Sequence, residues 1–85
     1  MKRIGDICKL SDLKVGQKAK ILSLNIEKKT LKKHLLDMGL TTKTIVKIKK
    51  IAPMGDPIDI ELRGYELVLR KCDLNQIEVE VIKWK

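Results

Sequence analysis

Apolar and polar residues alternate with a period of two over five stretches of this chain. They recur with helical spacing over one more. Gln17–Leu24 places Ala19, Ile21 and Ser23 against Lys18, Lys20 and Leu22. Thr44–Ile51 alternates Val46 and Ile48 with Lys47 and Lys49. Ile58–Leu62 turns Ile58, Ile60 and Leu62 one way and Asp59 and Glu61 the other. Tyr65–Arg70 carries Leu67 and Leu69 on one face, and Ile77–Ile82 carries Ile77, Val79 and Val81. A period of two predicts a strand with one face in the core. Between the first and second of these strands, Leu31, Leu35 and Met38 recur at i, i+4 and i+7, the inward stripe of an amphipathic helix. That pattern predicts a helix over Ile26–Met38, capped at its start by Asn25 or Thr30. Gly39 is its left-handed terminator, with Leu40 folding back as the apolar partner of that cap.

The punctuation agrees. Leu10–Gly16 reads as a turn with Leu10, Leu13 and Val15 inward and Gly16 supplying the turn conformation. Arg63-Gly64 is a two-residue hairpin connection. Pro53 and Pro57 bracket Met54, Gly55 and Asp56, which makes a stiff loop ahead of the third strand. Cys72–Gln76 is a short turn before the last strand. Five short strands with tight turns are best accommodated in a closed arrangement, because a small open sheet leaves bare edges. The expected fold is mainly β: a small five-stranded SH3-like barrel with one inserted α-helix. Residues 1–9 read as an N-terminal extension, and 10–85 as a single domain.

Composition narrows the function. At 85 residues the chain holds one modest core and no deep catalytic cavity. Aromatic residues make up 2%, Tyr65 and Trp84, so the core is aliphatic. No apolar run approaches the ~20 residues of a membrane span, and no apolar segment follows Lys2 and Arg3, so a cytosolic protein is expected. The +8 charge is uneven. Residues 1–50 hold fourteen Lys or Arg against four Asp or Glu, and 51–85 hold five against seven. The basic half points to an anionic partner or to a solvated lysine face.

The candidate chemistry is sparse. His34, Asp37 and Met38 share a helical face, where His34 and Asp37 can ligate a divalent metal. The alternative is a surface pair beside a core methionine. Cys8 and Cys72 serve as thiolate ligands if the extension folds beside the fourth strand, and otherwise as free thiols. There is no CxxC or HExxH spacing and no phosphate-binding GxxxxGK loop, so neither a structural zinc site nor direct nucleotide binding is expected. No nucleophile–base constellation stands out, so the chain is not expected to be an enzyme. Met54, at an exposed loop tip beside Pro53, is a partner-contact candidate, with Lys32 and Lys33 of the helix. Exposed strand edges make self-association possible.

The run LLDMGL (Leu35–Leu40), then APMGDP (Ala52–Pro57), then Gly64 with Leu67, Leu69 and Arg70 resembles the FeoA family, with Leu10, Leu13 and Gly16 ahead of it. The resemblance spans residues 10–82. It implies a small cytosolic SH3-like accessory protein of prokaryotic ferrous iron uptake. Such a protein acts with FeoB, the membrane transporter that carries a cytosolic GTPase domain, and is placed at the inner face of the membrane through that partner. It requires no cofactor of its own, with Fe²⁺ or another divalent transition metal as the ion in question. After Met38-Gly39-Leu40 the family commonly has Pro-Gly. Here Thr42-Lys43 stands, which implies a wider or strained loop. The competing reading is a small basic nucleic-acid-binding β-barrel. With so few aromatics it would bind through phosphates and be steeply salt-dependent.

Overall fold

The computed structural model describes residues 4–84, with the side chains of 83 and 84 left aside. Lys2, Arg3 and the Trp84 side chain, which entered the sequence reading, therefore lie outside the described residues. The elements run β1 (Ile7–Lys9), a 3-10 turn (Leu10–Asp12), β2 (Gln17–Leu24), α1 (Lys29–Asp37), β3 (Ile45–Ile51), β4 (Ile58–Leu62), β5 (Tyr65–Leu69), α2 (Lys71–Leu74) and β6 (Ile77–Trp84). All strand pairs are antiparallel, in the order β1-β6-β2-β3-β4-β5.

The inner face of the sheet holds the core. Ala19, Ile21, Val46, Ile48, Ile58, Ile60, Leu62, Leu67, Ile77, Val79 and Val81 are buried there, as their alternation requires. Leu10, Leu35, Leu40 and Leu74, from the turn and the helical segments, close the same cluster. Burying such side chains stabilises the fold by roughly 1.5–3 kcal/mol each.

Several expectations are corrected. The sheet has six strands among the described residues, not five. Ile7–Lys9, expected in an extension, pairs with β6 from Ile7↔Glu80 to Lys9↔Glu78. The inward set of β2 does not continue through Ser23. A register shift between Ile21 and Ser23 turns Leu24 inward instead. Val15 is half exposed rather than inward. Gln17, fully buried, takes up interior space there, and its Oε1 accepts a 2.8 Å bond from the Lys14 amide. The segment Cys72–Gln76, read as a turn, is mostly the short helix α2.

Helix α1 starts three residues later than its pattern suggests. Ile26 is buried, but from the preceding loop. Lys28 stands at the cap with an extended backbone and no side-chain bond, so neither Asn25 nor Thr30 caps the helix. Its end follows expectation. Gly39 has φ +95°, its amide donates to Leu36 O at 3.0 Å, and the Leu40 amide donates to Leu35 O at 2.9 Å. These are the two bonds of a Schellman cap.

Candidate functional site

Three neighbouring features form the candidate site: the β3–β4 loop, helix α2 and helix α1. In the loop, the Gly55 amide donates to Ala52 O at 2.7 Å and the Ala52 amide to Pro57 O at 3.1 Å. This tight fold pushes Met54 out to 92% exposure, with Pro53 exposed beside it. Asp56 has a longer reach than its sequence position suggests. Its Oδ1 accepts a 2.7 Å bond from the Lys71 amide, the first residue of α2. The loop is thereby fastened to the start of that helix.

Helix α2 is in turn braced toward α1 by Gln76. The Gln76 Oε1 accepts from the Glu27 amide at 3.1 Å, its Nε2 donates to Cys72 O at 3.2 Å, and its backbone O accepts from the Asn25 amide at 2.7 Å. Between the two helices lies an open groove of about 530 Å³ lined by Lys28, Thr30, Leu31, His34, Arg70, Cys72 and Asp73. Leu31 packs partly against the core and forms its apolar floor, while Lys28, Arg70 and His34 supply cationic or titratable walls. Lys32 and Lys33 are exposed on α1.

Of the four residues singled out as metal ligands, His34 and Cys72 line this groove, whereas Asp37 and Cys8 do not. Cys8 sits half-buried on β1, and no disulfide joins it to Cys72. Cys72 Sγ lies 3.9 Å from Asp73 Oδ1. No group of three or more His, Cys, Asp or Glu among the described residues is placed to hold a metal ion. His34, Cys72 and Asp73 all line the open groove, but they are not brought together as the three- or four-ligand shell of a bound transition metal, so a resident ion does not fit these residues as placed. Arg70, Thr30, Asp73 and the Gln76 brace were missed as site residues. Thr30 lies on α1 itself, whereas Arg70, Asp73 and Gln76 lie about forty positions further on, and only the fold brings them there.

The outer face of the sheet is electrostatically divided. β2 and β3 present Lys18, Lys20, Lys47 and Lys49, and β4 and β5 present Asp59, Glu61 and Glu66. Glu66 is pushed above its ordinary 4.5, first by a hydrogen bond with the Asp59 carboxyl and next by that carboxyl's charge; Lys49 and Lys50 pull the other way. Asp59 Oδ1 is buried without a hydrogen-bond partner. Lys20 and Glu80 pair at 3.6 Å.

Comparison with known proteins places this arrangement. Residues 8–81 match the FeoA domain. A fusion of Fe(2+) transport protein A with the Fe(2+) transporter FeoB from Porphyromonas gingivalis is 31% identical over 74 residues; these are 87% of this chain but 9% of that protein. The solution structure of a FeoA-like protein from Clostridium acetobutylicum is 36% identical, with TM-score 0.80, covering 96% of this chain and 92% of that one. A zinc complex of Stenotrophomonas maltophilia FeoA, a prokaryotic SH3 domain protein, shares the fold at TM-score 0.75 and 19% identity, over 85% and 88% of the two chains. The chain belongs to the FeoA family of SH3-like, non-enzymatic accessory domains associated with ferrous iron transport.

Proposed function

We propose that this chain works in ferrous iron uptake by docking on the cytosolic GTPase part of a FeoB-type membrane transporter. The observation that carries this reading is the hydrogen-bonded continuity of the candidate site. Asp56 ties the Met54 loop to α2, and Gln76 ties α2 to the chain leading into α1. Of the two sets of contact candidates, Met54 with Pro53 belongs to the loop fastened to α2, and Lys32 with Lys33 belongs to α1; residues of these two helices line the groove. A pre-ordered face loses little entropy on binding. The Porphyromonas gingivalis fusion supports the choice of partner, because there the two functions share one chain.

The chain contributes no bond-making step. Its effect on the transporter is a difference in affinity for the partner's conformational states, which shifts their populations. Fe²⁺ is the transporter's cargo. No helix among the described residues is long and apolar enough to cross a membrane. The working location is the cytoplasmic face, reached through the partner.

Titration of the full chain against the transporter's cytosolic domain tests this, with and without guanine nucleotide. Binding is expected, and Met54→Ala combined with Lys32→Ala and Lys33→Ala should weaken it by about tenfold or more, the scale of an interface hot spot. An absence of binding in both nucleotide states would defeat the proposal.

A further inference from the structure

A second surface lies at the other end of the β3–β4 hairpin from Met54, and it concentrates three locally unfavourable choices. The Cα of Lys18 on β2 is directly opposite Lys47 on β3 and is also in register with Lys83 on β6. Like charges directly opposite one another destabilise a sheet. The strand register offers Lys47 a neutralising neighbour in Glu61, yet neither Lys18 nor Lys47 makes an ion pair among the described residues. Arg63 occupies the hairpin turn at φ +50°, where asparagine or aspartate before the glycine is the low-strain choice. Ile45 is 43% exposed between these cations. All four residues line one pocket of about 360 Å³, with Val46, Glu61, Leu62 and Gly64. Local rules broken together at one place mark a surface kept for binding rather than for folding.

The charges around the pocket indicate what it takes. The cationic strip, with Glu61 at its β4 edge inside the pocket, is bounded by Asp59 and Glu66 on one side and by the Lys20–Glu80 pair on the other. Those acids repel a long polyanion, which would have to cross them. A short acidic segment fits within the strip, and an apolar side chain between its carboxylates would cover Ile45. We propose that the outer face of β2 and β3, centred on Lys18, Ile45, Lys47 and Arg63, docks a short extended acidic–apolar segment of a partner protein. This surface is separate from the Met54 face and does not depend on the transporter reading.

The test uses the full chain and a fluorescein-labelled pentapeptide alternating glutamate and leucine, followed by anisotropy and by amide chemical shifts. Shifts are expected at Lys18, Ile45, Lys47 and Arg63. Lys18→Glu should weaken binding about tenfold, and Lys29→Glu, an equal charge change on α1, should leave it unchanged. Lys18→Glu should also raise the thermal midpoint, because the new carboxylate stands directly opposite Lys47. Lys47→Ala provides a second, milder loss of binding. The proposal fails if shifts spare these residues or if the two charge reversals weaken binding equally. It also fails if an oligo-deoxythymidine strand binds this face more tightly than the peptide, or if Lys18→Glu lowers the midpoint.

Discussion

Lys43 holds a left-handed backbone, φ +71°, a conformation that favours glycine. Its neighbours leave it no room to relax. The Lys43 amide donates to Ile21 O at 2.7 Å, and the Ile21 amide donates to Thr44 O at 2.9 Å. The Thr44 hydroxyl donates to Gly39 O at 3.0 Å and lies 2.9 Å from the Thr41 hydroxyl. A non-glycine residue in this conformation is strained by about 1–2 kcal/mol. Glycine removes that strain but loses about 0.5–1 kcal/mol more backbone freedom on folding. Lys43→Gly should therefore stabilise the protein by about 0.5–1 kcal/mol. For a domain of this size that raises the thermal midpoint by about 2–8 °C, read by circular dichroism or calorimetry. Lys43→Ala removes the same charge but keeps a Cβ in the strained conformation, and should give no gain. A midpoint that stays put or falls with glycine, or rises equally with alanine, would refute the backbone argument.

Three further outcomes are expected. Gly39→Ala should destabilise by about 1–2 kcal/mol through its φ of +95°. Its new Cβ would meet Arg63 Cδ and Tyr65 Oη at 3.2 Å, but those flexible ends can move by a few tenths of an ångström, so urea midpoints should report mainly the backbone cost. Glu66→Gln should stabilise the protein at neutral pH and not at low pH. The raised Glu66 value means the folded state holds its proton more tightly, so the stability this provides is present at low pH and lost as pH climbs past 4.5. Denaturation series across that range should converge for the two proteins at the acid end. A chain lacking residues 1–9 uncovers the edge of β6 that β1 occupies, and sedimentation should show self-association absent from the full chain.

The strands β2 to β6 were legible because each buries one face, and a period of two follows directly from the pleat. The end of α1 was legible because Gly39 and Leu40 satisfy a local cap. Its start was not, because Ile26 is buried without being helical, and burial alone does not specify backbone conformation. β1 was hidden for a different reason. Three residues, Ile7, Cys8 and Lys9, carry no period of their own, and their extended state depends on the open edge of β6. The bulge in β2 likewise reflects pairing on both sides of that strand. At the candidate site, the exposed Met54 tip could be read from its bracketing prolines. The groove could not, since its walls come from 28–34 and 70–73. The side chain that sets them together, Gln76, looks like an ordinary polar residue before a strand.

The bond from Asp56 to the Lys71 amide has a mechanical consequence. Four residues are far fewer than an isolated helix needs to persist, so α2 depends on what holds its ends. A displacement of the Met54 tip that drags Asp56 away frees the Lys71 amide and lets α2 unwind from its first turn. Loop and helix therefore open cooperatively, as one unit of hydrogen exchange rather than two. A grip on the tip is expected to reach the groove through the Asp56–Lys71 bond, at the α2 wall that Cys72 lines.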